Sequence, residues 1–246
     1  MTNSTVVGFS GLRGGVGTTS MTALLAAALH HSGQSVLVVD MNDSDLLRLH
    51  FDVPYLDEQG WAAVFWEGEH WVSQLLQIKE GLWILPFGRN APRTARVNAQ
   101  VIESMFSMVL DALQEGQIGI KPDWVIFDFP SHPAATRILQ EQCDFHFLVC
   151  EPDYAAHVLL DQYELAAQTH LLLNKLTPKE PLASGIVTDW KERYAERIIP
   201  VSFSWDAHVS ESLAHKHTVL EHAPESITTQ NAHEFARWCL SYPERN

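Results

Sequence analysis

The sequence predicts an α/β protein, a doubly wound and mostly parallel sheet with helices on both faces, and three observations predict it. Short runs rich in Val, Ile, Leu and Phe recur between longer stretches of helix formers, as successive strand-helix-strand units require. Several of these runs are apolar throughout, which suits strands buried on both faces. The first run passes through a glycine-rich turn into an Ala- and Leu-rich stretch, giving the order strand, loop, helix. A chain of 246 residues, nearly half of them hydrophobic, can bury one large core, so residues 1–246 are read as a single domain.

Residues 5–10 form the first strand and residues 21–31 the helix that follows it. Residues 35–40 (SVLVVD) are the second strand, an apolar run that closes on Asp40. Residues 82–87 and 124–129 are the third and fourth, the latter carrying WVIFD with Asp128 at its end. Residues 145–150, 171–174 and 198–203 complete the strands, and helical patterns fall near 99–115, 134–142, 154–169, 207–216 and 230–241. The polar stretch at 178–181 reads as an ordinary loop. In such sheets ligands sit at the carboxyl ends of the strands, where the loops after Ser10, Asp40 and Asp128 converge. Between the second and third strands lie Trp61, Phe65, Trp66 and Trp71, read as core packing by default, with a partner-binding patch as the alternative.

Composition excludes several function classes. A formal net charge of −14 repels polyanions over most of the surface, so non-specific nucleic-acid binding is disfavoured. The densest basic stretch is Arg89, Arg93 and Arg96, either a contact surface or a solvated loop. Cys143, Cys150 and Cys239 are too few and too widely spaced for a disulfide framework; they read as reduced thiols and point to the cytosol. No run approaches the ~20 apolar residues of a membrane span, and the last residues lack the cations of a membrane-targeting helix, so direct membrane insertion is not expected. Thirteen histidines occur without HExxH or paired Cys/His spacing, which leaves zinc unsupported. A serine hydrolase would need a GxSxG elbow, and none occurs.

The chemistry-bearing segment is Ser10 to Thr19, SGLRGGVGTT. Its glycines let successive backbone N–H groups turn inward around phosphate oxygens at the positive end of the following helix. Arg13, Gly14, Gly15, Val16, Gly17, Thr18 and Thr19 are therefore the nucleotide-binding residues, and Thr19, Asp40 and Asp128 the magnesium ligands, partly through water. Asp128 closes its strand as a metal-orienting aspartate does.

RGGVGTT resembles KGGVGKT, the deviant phosphate loop of the MinD/ParA group of P-loop ATPases, which form dimers around ATP. The similarity extends to VVD at 38–40, DFP at 128–130, Leu173-Asn174 and Ile199-Pro200. The set RGGVGTT, VLVVD, LLRL, QGWA, LPFG and WCL more closely resembles the BcsQ family of bacterial cellulose biosynthesis proteins. That resemblance implies ATP and magnesium as cofactors, Asn174 as the adenine-reading residue, and a homodimer working in the cytoplasm. It also implies cellulose-synthase complex proteins and small cytosolic accessory subunits as partners, which would recruit the chain to the inner membrane. The rival is a MinD/ParA-type positioning or partition ATPase, against which the acidic balance and the poorly basic terminus argue.

Two lysines of the general pattern are exchanged. Thr18 stands where a lysine would neutralise the β- and γ-phosphates, which costs on the order of 1 kcal/mol, roughly tenfold in affinity, unless something compensates. Arg13 stands where a lysine would reach across the dimer, and its guanidinium keeps the charge. The water-positioning acid expected two residues after Asp40 is Asn42, which can orient a water but cannot accept its proton. Asp40 and Asn42 are the catalytic candidates; Asp43 or Asp45 could substitute, or could be first-turn acids. The expectation is a nucleotide-dependent switch with slow hydrolysis.

Overall fold

The computed structural model describes residues 4–67, 70–90, 98–131, 133–177 and 179–242, with backbone alone for 133–136. In chain order the elements are β1 (Thr5–Gly11), α1 (Thr18–His31), β2 (Val36–Asp40), α2 (Trp61–Glu67), β3 (Leu76–Lys79), β4 (Leu82–Leu85), α3 (Ala99–Gln114) and β5 (Trp124–Asp128). These are followed by α4 (Pro133–Gln140), β6 (Phe145–Cys150), α5 (Tyr154–Leu160), β7 (Thr169–Leu173), α6 (Pro181–Arg193), α7 (Ala207–Ala214), α8 (Val219–His222) and α9 (Ile227–Ser241). The strands form one sheet in the order β3-β4-β2-β5-β1-β6-β7, parallel except for the β3/β4 pair at one edge.

Alternation of side chains along each strand explains why the apolar runs are continuous. Val36 and Val38 face a core shared with α1 and α9, while Leu37 and Val39 face one shared with α2 and α3. β6 and β7 face α5 and α6 on the second side through Leu148, Leu171 and Leu173. α1 is buried almost all round from Met21 to Leu29, the pattern of a helix held between the sheet and another helix. Its cover is α9, whose Phe235, Ala236 and Cys239 are buried and whose Trp238 ring packs 6.0 Å from that of Phe147. The terminal aromatic segment thus closes the core. All three cysteines are buried and unpaired. Among the described residues no helix is long and apolar enough to cross a membrane.

Several sequence expectations are corrected. Residues 198–203 form no strand; they run beside β7, joined to it at the isolated bridge Leu171–Ile198 and by the Phe203 N–H, 2.9 Å from the Leu173 carbonyl. The helix expected over 154–169 stops at Leu160. Pro181, read as part of a loop, sits at the start of α6, where its fixed φ and missing N–H cost nothing. The aromatic cluster divides: Trp61 and Trp71 are buried, Phe65 packs against them, and Trp66 is 43% exposed. Arg89 lies 3.8 Å over the Tyr55 ring and 3.8 Å from Asp45, which makes it part of the fold. Arg93 and Arg96 fall outside the described residues.

Candidate functional site

β1 delivers the glycine-rich loop and α1 leaves it, so the loop lies at the carboxyl edge of the sheet beside the ends of β2 and β5. Gly15 and Gly17 have φ of 79° and 93°, a region that side chains rarely adopt. Gly17 is the N-cap of α1 and offers no side-chain cap, leaving the first-turn N–H groups available to an anion. A methyl carbon added at Gly14 or Gly15 would meet nothing within 4 Å, so the rim of the loop is open. At its root the reverse holds. A methyl carbon on Gly11 would sit 2.5 Å from Thr18 Oγ1 and 2.8 Å from both Ser131 Oγ and the Arg13 carbonyl. The Thr18 hydroxyl is thus packed beneath the loop and brings no charge to it.

Thr19 Oγ1 donates to Asp128 Oδ2 at 2.7 Å, and Thr22 Oγ1 lies 3.3 Å from Oδ1. Asp40 and Asp128 are register partners on adjacent strands, and both are wholly buried. Burial pushes Asp128 up to about 7 against the pull of the Thr19 and Thr22 hydroxyls. Burial first, and the neighbouring Asp128 charge second, raise Asp40 well above the usual carboxylate range. The Asn42 N–H, 2.9 Å from Oδ1, and the Leu47 N–H, 3.3 Å from Oδ2, partly offset this, and the indole N–H of Trp61 fixes the Asp40 carbonyl at 2.7 Å. Two buried carboxyl groups beside a threonine hydroxyl and an open ring of amides are a donor set suited to a divalent cation carrying a phosphate.

The remaining sequence-derived residues are engaged within the chain. Arg13 turns back within its own chain, with Nη2 3.1 Å from Glu151 Oε2 and paired with Asp153, and Nη1 donates to the Gly14 carbonyl at 3.1 Å. Burial pushes the Asp153 carboxyl up, but the Ala156 amide and the Arg13 guanidinium outweigh it and hold that carboxyl below its ordinary value. Asn174 is buried, and its Nδ2 donates to the Val16 carbonyl at 2.8 Å, which pins the end of β7 to the phosphate loop. Asn42 Oδ1 accepts the Ser44 N–H at 3.2 Å. Asp45 points away from the site, its Oδ2 2.8 Å from Arg48 Nε and its Oδ1 accepting the Gly88 N–H.

Sequence reasoning missed Glu151, Asp153 and Lys175. The Lys175 Nζ donates to the Gly15 carbonyl at 2.6 Å and lies 3.6 Å from Glu151 Oε2. The available signal was their place immediately after two predicted strands, since every such position faces the same edge of a parallel sheet.

A family model described as Cellulose biosynthesis protein BcsQ matches residues 4–240. The BcsQ proteins of Salmonella typhi and Escherichia coli K12 are each 31% identical over 236 residues, covering 96% of this chain and 94% of each relative. Among solved structures, the chain is similar to a ParA family ATPase from Chlorobium tepidum, with a TM-score of 0.73 and 18% identity over 96% of this chain and 99% of that one. It is also similar to the MinD cell division protein of Aquifex aeolicus, with a TM-score of 0.73 and 16% identity over 97% of both chains. A third match is MinD of Pyrococcus horikoshii, solved with Mg-ADP, with a TM-score of 0.68 and 19% identity over 95% of both. These structural likenesses carry the fold, and the sequence matches carry the family: the chain belongs to the BcsQ family of cellulose biosynthesis proteins and has the MinD/ParA ATPase fold.

Proposed function

We propose that this chain is an ATP- and magnesium-binding protein that dimerises around its nucleotide and acts as an accessory of bacterial cellulose synthesis and secretion, an assembly switch with slow hydrolysis. The observation that carries the reading is the juxtaposition of Thr19, Asp128 and Asp40 beneath an open glycine loop at a helix N-terminus. Thr19, Asp128 and Asp40 would hold a magnesium ion, which would supply positive charge against the two buried acids and the phosphates. The loop amides orient the phosphates, Thr19 and Asp128 hold the metal side, and Asn174 braces the loop from β7. Family membership supports the process, and the proposed partners are cellulose-synthase complex proteins and small cytosolic accessory subunits. The chain works in the cytoplasm and reaches the inner membrane through these contacts.

Calorimetry with ATP, with and without magnesium, tests the nucleotide half, together with the mass of the protein in solution. Magnesium-dependent binding and a shift from monomer to dimer are expected. A folded protein that binds nothing at millimolar ATP refutes it. Cellulose output and membrane recruitment in cells lacking the protein test the biological half; unchanged secretion from an active synthase removes the proposed role.

A further inference from the structure

Thr18 brings no charge to the phosphate loop and Arg13 is drawn off by two acids, yet a second cation rests on the loop. Lys175 follows Asn174 at the end of β7 and takes φ of 55°, a left-handed conformation uncommon for a residue with a side chain. Both neighbours are tied down. The Asn174 N–H donates to the Cys150 carbonyl at 2.9 Å and its side chain to Val16, while the Leu176 N–H donates to the Phe203 carbonyl at 2.9 Å. The turn so enforced swings the lysine stem back over the loop and sets Nζ on the Gly15 carbonyl.

A partly exposed Lys–Glu pair contributes little to stability, so the contact with Glu151 does not by itself account for a strained backbone. Glu151 is also the acid that holds Arg13, so one carboxylate is the counter-charge of both cations. Next to them the open rim at Gly14 and Gly15 leaves room for an anion to take its place. We propose that Lys175 supplies, from the end of β7, the phosphate-facing positive charge that Thr18 leaves absent from α1. The ligand it serves is the polyphosphate tail of a nucleotide, so the inference rests on the nucleotide reading above.

Calorimetry with ATP, ADP, AMP and inorganic tripolyphosphate tests it on the full chain. Lys175→Gln is expected to weaken ATP and tripolyphosphate about tenfold and AMP hardly at all, because a charge-assisted contact to the outer phosphates is lost. Lys175→Gly relieves the left-handed strain, so it is expected to melt no lower than wild type while showing the same binding loss. Thr18→Lys is expected to restore tripolyphosphate affinity in the Lys175→Gln background and to add less when Lys175 is present. Unchanged tripolyphosphate affinity in both Lys175 variants, or an equal gain from Thr18→Lys with and without Lys175, overturns the role of Lys175 and leaves nucleotide binding standing. A wild-type chain that binds no nucleotide overturns both.

Discussion

Replacing Arg48 by methionine removes a charge from the interior of the loop that carries Asn42. Arg48 and Asp45 are both fully buried. The guanidinium lies against the Asp45 carboxylate and donates to the carbonyls of Pro54 at 3.2 Å, Gln59 at 2.6 Å and Asp57. One side chain therefore closes residues 45–59 into a fixed loop between β2 and α2. Burial raises the Asp45 carboxyl even with Arg48 and the Gly88 amide pulling it down, so the acid depends on its partners. Breaking a buried pair by removing one member costs about 3–5 kcal/mol, a large part of the ~5–15 kcal/mol that holds a domain together. For a chain of this length that is a fall of about 10 °C in melting temperature. Urea denaturation of Arg48→Met, Asp45→Asn and the double variant checks it. The double variant is expected to cost less than the sum of the singles by about 1–3 kcal/mol. An Arg48→Met loss under ~1 kcal/mol, or strict additivity, refutes the account of this loop.

Asp128→Ala is expected to abolish the magnesium-dependent part of ATP affinity, read by calorimetry with and without the metal, because Thr19 then has no carboxylate partner. Arg13→Ala is expected to weaken dimerisation more than monomer nucleotide affinity, read by mass in solution at fixed ATP; equal effects contradict a cross-dimer role for the side chain that Glu151 and Asp153 hold at home. Thr18→Lys is expected to raise the preference for triphosphate over diphosphate while turnover rises little, read by binding and phosphate release. Burial lowers His50 to about 4 and His146 to about 3, so both fold neutral. An unfolded histidine titrates near ~6.5, so their stabilisation is complete above that pH and is lost as pH falls. His50→Leu is accordingly expected to lose about 2–3 kcal/mol less than wild type between about pH 7 and pH 4.5, measured as urea midpoints.

The central strands, and Asp40 and Asp128 at the ends of two of them, were legible because a strand buried on both faces is apolar throughout and an acid closing it stands out. What escaped was amphipathic or brief. β3 is four residues with alternating exposure, and its apolar signal is Leu76 and Ile78 alone. α6 buries Ala183, Ile186 and Trp190, a helical spacing hidden behind Pro181 and a polar surround. The strand expected at 198–203 has the right residues, but its pairing with β7 is broken between the Leu171–Ile198 bridge and the Phe203 N–H bond to Leu173, and Val201 and Phe203 send their side chains into the core beneath α9. Lys175, Glu151 and Asp153 reach the loop because β6 lies beside β1 in the sheet and β7 beside β6, an order that must be known before their places after two strands can be read as a signal.

The acids near β2 bear on why slow turnover is the better reading. Asn42 gives its backbone N–H to Asp40, and its side-chain oxygen accepts the Ser44 N–H, so that oxygen is engaged within its own turn. Of the two acids that could have substituted, Asp45 is committed to Arg48 and to the Gly88 amide, and Asp43 is exposed. Asp40 already accepts two backbone N–H groups and is disfavoured as an anion by its burial and by the neighbouring Asp128. Phosphoryl transfer to water needs a group that positions the nucleophile as well as one that steadies the leaving charge. With the first kind of group folded into the loop and only cations available for the second, this arrangement favours holding a triphosphate over cutting it. A long-lived loaded state of that kind fits the assembly switch proposed above.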